Sequence, residues 1–398
     1  MSDQRSVISF QQPAMPQHII NASGPVTRLG GALMPSPVLN SYTNAAPSSV
    51  SMEQLQGEAS GKIADVTGAE SGLITSGAAA GLTLGAAAIL AGHDLRRMEC
   101  LPHADDFPCE FVIAREQRNG YDHAVRAAGA RLVEVGMNEP GAGSGVRRTE
   151  AWEYETAFSE NTAGVLYVYG PDSSPPLPEI VAVARKHKLP VLVDAAGELP
   201  PRENLLSIPA SGADLVAFSG GKAIRGPQAT GILCGKRELI SSAALQMLDM
   251  DDHFELWDPP ANLIDKSKLP GMPRHGIGRA LKVSKEDIAA LLTALELFVS
   301  SGYEEVIPKA RKMLEDIVTA LADTPANCAL DEPNGQPRLV ITMSNRAEAF
   351  EICQRLREGD PPVYVGHGRL AEGKLVVDPS CLDADDAAIL TERLSEVI

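Results

Sequence analysis

Apolar runs of strand length recur at Gly72–Thr75, Phe111–Ala114, Arg131–Val135, Val165–Val168, Val191–Val193, Leu215–Phe218 and Ile232–Cys234. Between several of them lie helical patterns, Met52–Val66, Ala78–Leu90 and Leu177–His187. A strand with no polar alternation has both of its faces covered, and the intervening helices supply that cover. The pattern therefore predicts an α/β fold around a largely parallel sheet. Ligands of such sheets sit at the carboxyl ends of the strands, so chemistry is expected there.

From about residue 280 the pattern changes to long amphipathic helices, Lys285–Ser300 and Tyr303–Ala322. A strand at Leu339–Thr342, a helix near Ala347–Arg357, two short strands and a final helix near Asp383–Val397 follow. This reads as a separate α+β domain, and the Pro-, Gly- and charge-rich stretch Trp257–Ile277 reads as the loop before it. The expected organisation is an N-terminal extension over 1–20, a large domain over 21–275 and a small C-terminal domain over 276–398.

Lys plus Arg total 35 against 52 for Asp plus Glu, a formal charge of −17, and such a surface repels a phosphate backbone. No nucleic-acid partner is expected. The N-terminus lacks a basic segment followed by a long apolar run, so neither signal peptide nor membrane anchor is expected. The most apolar stretch, from Ala78, is Ala- and Gly-rich and shorter than the roughly 20 residues of a bilayer span. It reads as a helix packed closely inside the protein. Six cysteines stand apart with no CxxC pair or zinc spacing, as suits reduced thiols in a cytoplasm.

Three segments carry chemistry. Thr75-Ser76-Gly77-Ala78-Ala79-Ala80-Gly81 runs from strand through a small-residue turn into a helix, whose free N–H groups and dipole suit an anion. A capped, tightly packed helix start is the alternative. Asp194 ends a very apolar strand, where a carboxylate is poorly solvated and calls for a cationic partner such as a protonated pyridine nitrogen; a turn-capping Asp is the alternative. Lys222 follows a buried strand through Ser219-Gly220-Gly221, a tight turn where partial desolvation frees an amine to attack an aldehyde. Together, in this order, they are the phosphate turn, acid and lysine of a fold-type-I domain for pyridoxal 5′-phosphate (PLP), with Ser219 placed to add a hydroxyl to the phosphate site.

Ile20-Asn21-Ala22-Ser23-Gly24, Thr27-Arg28-Leu29-Gly30-Gly31, Thr75-Ser76-Gly77-Ala78-Ala79, Val193-Asp194-Ala195-Ala196, Ser219-Gly220-Gly221-Lys222 with Arg225-Gly226-Pro227-Gln228, and Gly276-Ile277-Gly278-Arg279 with Lys282 resemble the selenocysteine-synthase-like (SelA-like) PLP family. The closer similarity is to its D-glucosaminate-6-phosphate ammonia-lyase-type members. The resemblance runs from about residue 18 onward. It implies an aminotransferase-like large domain, a small C-terminal α+β domain and a homodimer or higher homo-oligomer. It also implies that Lys222 forms the internal aldimine, that Asp194 contacts the pyridine nitrogen, and that Ser76, Gly77, Ala78 and Ser219 hold phosphate. Arg225 and Arg279 become candidates for a substrate anion, or else structural arginines.

The chain departs from the family in two places. The tRNA-acting branch carries a further N-terminal domain and a basic surface, whereas this acidic chain starts its PLP domain almost at once, so action on tRNA is not expected. Gly366 and Ser380 stand where the family carries arginines; Arg369 is the candidate replacement for the first, a surface arginine the alternative. Gln117, Tyr121 and His123 fall where fold-type-I enzymes place the residue that covers the ring, with Tyr121 also a substrate candidate.

The expected reaction is α,β-elimination from a hydroxylated or phosphorylated 2-amino acid, such as an amino-sugar acid, to a 2-oxo acid and ammonia, with Lys222 as base. Aminotransferase, racemase and β-replacement chemistry share the same carbanion and stay open. A PLP-binding regulator is the reading from another class, against which stand the intact lysine motif and the lack of a helix-turn-helix.

Overall fold

A computed structural model describes residues 17–137, 148–300, 302, 303 and 305–398; the predicted N-terminal extension falls outside them up to residue 16. In chain order the strands are β1 (Ile20–Ala22), β2 (Ser71–Thr75), β3 (Glu110–Ala114), β4 (Arg131–Val135), β5 (Thr162–Val168) and β6 (Val191–Asp194). They continue with β7 (Leu215–Ser219), β8 (Gly231–Gly235), β9 (Asn327–Asp331), β10 (Arg338–Thr342), β11 (Val363–Val365) and β12 (Lys374–Val377). The described residues divide into two units, those within 25–306 with 334–336, and those within 17–24, 307–333 and 337–398.

The larger unit is built on a seven-stranded sheet in the order β2-β8-β7-β6-β5-β3-β4. Only β8 runs against its neighbours. All of β6 and β8, and β7 up to Phe218, are buried, which is why these runs carry no polar alternation. The helix Ala78–Ala91 is buried almost throughout, as expected of a helix that is apolar on every side. Its Ala and Gly side chains keep it thin.

An edge strand exposes unpaired backbone groups, and β2 is such an edge. The fully buried Gln56, on the helix Met52–Thr67, closes it: Nε2 donates to Ile74 O at 2.9 Å and Oε1 accepts from Ile74 N at 3.0 Å. Ser60 Oγ accepts from Gly72 N at 3.1 Å on the same edge.

The stretch Trp257–Ile277 is mostly irregular, as its composition suggests, yet it lies within the larger unit and buries Trp257, Leu263, Ile264 and Leu269. The helix Lys285–Val299 belongs to that unit too. It lies against Ser36–Ala45, where Ser41 Oγ donates to Ala289 O at 3.0 Å.

The smaller unit has its own core. The antiparallel sheet β12-β10-β9 and the parallel pair β1-β11 carry Ile20, Leu339, Ile341, Val363 and Leu375, packed with Leu314, Leu356 and Leu390 from its helices. No helix among the described residues is long and apolar enough to cross a membrane.

Candidate active site

The site is assembled where the sheet register puts Thr75, Gly231 and Ser219 side by side on β2, β8 and β7. β2 leaves the sheet through Ser76 and Gly77 into the helix Ala78–Ala91. Gly77 N–H is taken by Thr75 O at 2.9 Å, so the amides of Ala78, Ala79 and Ala80 are the first of the helix without an acceptor inside it. β8 crosses directly beneath: a Cβ on Gly231 would stand 2.5 Å from Ala78 N. Ser76 Oγ donates to Leu281 O at 2.9 Å, beside the open backbone amides of the helix start.

β7 leads into the lysine turn. Gly220 N donates to Thr230 O and Gly226 N to Gly220 O, both at 2.9 Å, and a Cβ on Gly221 would meet Gln228 Cα at 2.5 Å. The two glycines of Ser219-Gly220-Gly221-Lys222 are there because the chain folds back against itself at backbone contact distance. Thr27–Ala32 closes the turn, with Gln228 Nε2 donating to Thr27 O at 2.8 Å and Ala32 N to Gly221 O at 3.2 Å. Lys222 emerges half-buried.

Asp194 ends β6, next to β7, with 7% of its surface exposed. Its Oδ1 accepts from Ala196 N at 3.0 Å. Burial pushes its carboxyl up from the usual range, while the Ala196 amide and the charge of Lys222 pull the other way. Glu198, four residues on, is raised as well, first by burial and then by the charge of Asp194, again opposed by Lys222. The charge of Lys222 thus acts on both carboxyls. Sequence reasoning missed Glu198; the signal was an acid in the turn after β6, whose coupling to Asp194 and Lys222 appears only in the fold.

On the other side of β6, Val168 of β5 is the register partner of Asp194. Gln117, just past β3, is 7% exposed, and its Oε1 accepts from Val168 N at 3.1 Å. Tyr154 Oη accepts from Ala114 N at 2.9 Å, and burial pushes that phenol up. Asp122 pairs with Arg118, which also meets Glu134, and its charge is felt at Asp194. Of the ring-covering candidates only Gln117 is buried: Tyr121 is 61% exposed, and His123 lies on the surface against Arg126.

The candidate anion contacts are engaged with protein groups. Arg225 takes a left-handed φ of 62°, donates from Nε to Leu33 O at 3.0 Å and lies over the Tyr303 ring. Arg279 pairs with Asp249 at 2.6 Å, and the Asp251 amide, followed by this arginine, holds that carboxyl down at about 2. Arg369 belongs to the smaller unit and pairs with Glu372 at 2.9 Å.

Residues 122–250 match the family model described as SelA, L-seryl-tRNA selenium transferase. The chain is 30% identical to the 5'-C-glycyluridine monooxygenase-decarboxylase of a Streptomyces species, over 96% of this chain and 90% of that protein. It is 27% identical to the D-glucosaminate-6-phosphate ammonia lyase of Salmonella typhimurium, over 98% and 97%. A solved structure of D-glucosaminate-6-phosphate ammonia-lyase superposes with a TM-score of 0.77 at 25% identity, covering 96% of this chain and 95% of that one. Sphingomonas wittichii serine palmitoyltransferase, at 13% identity and TM-score 0.53 over 95% and 86%, shares the fold.

Proposed function

The chain belongs to the SelA-like family of PLP-dependent enzymes, and from that premise we propose that it is a lyase releasing ammonia from a hydroxylated or phosphorylated 2-amino acid. The observation that carries the reading is Asp194: a buried carboxylate with a single amide donor, within the field of a half-buried lysine on the neighbouring turn. Such a carboxylate is costly without a cation, and a protonated pyridine nitrogen is one.

The other residues fit the same group. The amides of Ala78, Ala79 and Ala80 suit its phosphate, and the amine of Lys222 its aldehyde. The bound cofactor supplies a sink for the electron pair left when a bond at the substrate α-carbon breaks. Asp194 would hold the ring nitrogen in its protonated form. Lys222 takes the α-proton at Nζ, and Glu198, raised by burial and within the field of the lysine, holds the proton that leaves with the β-hydroxyl as water. Water then replaces nitrogen, so a 3-hydroxy-2-amino acid yields a 2-oxo acid and ammonia in balance. An amino-sugar acid is the leading substrate class, and the charge of −17 speaks against tRNA.

The name of the Streptomyces relative favours a second reading, oxidative decarboxylation of a 2-amino acid. One experiment separates the two. Borohydride reduction of the cofactor-loaded protein should fix the cofactor on Lys222, located by peptide mass spectrometry, and Lys222→Ala should lose that adduct. A screen of hydroxylated and phosphorylated 2-amino acids should then release ammonia and a 2-oxo acid, with turnover in Lys222→Ala down by at least roughly 10²–10⁴-fold. Carbon dioxide release with oxygen uptake would select the second reading. An adduct elsewhere, or none after reconstitution, would overturn both.

A further inference from the structure

Gln117 is 93% buried by its 7% exposure, and its Nε2 has no hydrogen-bond partner among the described residues. The orientation of the amide is fixed by its other end: Oε1 accepts from Val168 N at 3.1 Å, and only the oxygen can do so, which leaves the NH₂ as the open end. A buried donor left unmet costs on the order of 1–3 kcal/mol. Such groups are rare in folded proteins and point to a partner that completes the site.

Its place in the sheet says which partner. Val168 is paired with Asp194, and Tyr169 N donates to Asp194 O at 2.9 Å, so the Gln117 amide stands on the β5 side of Asp194. The Ser219, Gly231 and Ala78 cluster stands on the β7 side, because the strand order is β2-β8-β7-β6-β5-β3-β4. In pyridoxal 5′-phosphate the line from the ring nitrogen to the aldehyde carbon separates two edges. One bears the phosphate arm and the other the 3-oxygen, an acceptor that carries negative charge when the ring is in its phenolate form. A cofactor held with its ring nitrogen at Asp194 and its phosphate at the helix start would turn the 3-oxygen toward β5 and β3.

We propose that Gln117 is the donor to the 3-oxygen of the bound cofactor, a positioning residue whose carboxamide, pinned to Val168 N, sets the tilt of the ring and favours its phenolate form. The proposal rests on the PLP reading above. Tyr121 and His123 are at the surface and do not compete for this place. Tyr169, half-buried just past the end of β5, carries a hydroxyl on this side and serves as the comparison.

The test is a pH titration of the visible absorption of the cofactor-loaded protein, in wild type, Gln117→Leu, Gln117→Glu and Tyr169→Phe. Lys222, Asp194, Glu198 and Asp122, the charged groups around the ring, are unchanged in all four. A donor to the phenolate lowers the pH at which the Lys222–cofactor linkage loses its proton. Gln117→Leu should therefore raise the midpoint by about one pH unit, the size of a hydrogen bond to a charged oxygen. Gln117→Glu keeps the acceptor for Val168 N, and so the local fold, but sets a carboxylate against the phenolate; its midpoint should rise at least as far. Midpoints within a few tenths of wild type in both Gln117 variants would overturn the proposal, as would a full shift in Tyr169→Phe alone. A wild-type protein with no reducible band would instead strike the PLP reading, a distinct failure seen before any variant is made.

Discussion

The two sides of Asp194 are built on different principles. Toward β7, β8 and β2 the site is backbone against backbone: Gly221 against Gln228, Gly231 against the amide of Ala78, and helix amides as the donors. Toward β5 and β3 it is side chain against backbone, with Gln117 reaching Val168 N and Tyr154 reaching Ala114 N. The first side has room for nothing larger than hydrogen at its crossing points, so its composition is forced. The second holds its shape through single long side chains whose partners lie 51 and 40 residues away in the chain. A binding edge made of backbone gives a fixed anion seat, and an edge made of side chains lets chemistry be tuned without moving the seat.

Gly231→Ala attacks the first side and should have the largest effect. The new Cβ would stand 2.5 Å from Ala78 N, and backbone atoms cannot yield as the tip of a side chain can. Overpacking of this kind costs about 1–3 kcal/mol, and here it displaces the amides proposed to seat the phosphate. Chemical denaturation should show the loss of stability and equilibrium dialysis the loss of cofactor. Full stability with wild-type cofactor affinity would break the comparison.

Tyr154→Phe attacks the second side and should act on stability alone. It leaves Ala114 N–H without its acceptor in a fully buried place, a cost of about 1–2 kcal/mol. Cofactor affinity should stay as in the wild type, because the tyrosine supports the end of β3 and not the phosphate seat. A large loss of cofactor in this variant would show that the two sides are not separable.

The same contrast governs what could be read from the sequence. The backbone-built side leaves a local signature, since crowding at a turn demands consecutive small residues, and both the Ser76–Gly77 turn and Ser219-Gly220-Gly221-Lys222 stood out for that reason. The strands and the helix Ala78–Ala91 were legible as well, because burial on every face removes polar residues from a continuous run. Gln117 could be narrowed to three candidates, but its pin to Val168 depends on strand order, which no local pattern encodes. Glu198 and Gln56 were invisible for the same reason. The helix Lys285–Val299 announced an apolar face without saying what it would cover, and it covers the larger unit. Arg279 and Arg369 stood in the sequence as substrate-anion candidates or as structural and surface arginines, and in the fold Asp249 and Glu372 pair with them.

Asp194 stands between the two sides, and Asp194→Asn sharpens the comparison with the smallest effect, one whose sign depends on the cofactor. Burial raises the folded-state carboxyl above its ordinary value of 3.8. The folded protein without cofactor therefore holds this proton more tightly than the unfolded chain. The stability this group contributes is full below the ordinary value and is lost as pH rises through the raised folded value. Cofactor-free Asp194→Asn should thus be more stable than wild type at neutral pH, and the advantage should fade as pH falls through the folded value toward 3.8. With cofactor bound the order should invert at neutral pH, because asparagine offers no charge to the protonated ring nitrogen. Thermal unfolding of both forms across this pH range reads the inversion. An asparagine variant that is more stable at neutral pH with and without cofactor would mean that no cation meets Asp194, and the two sides would then share no common ligand.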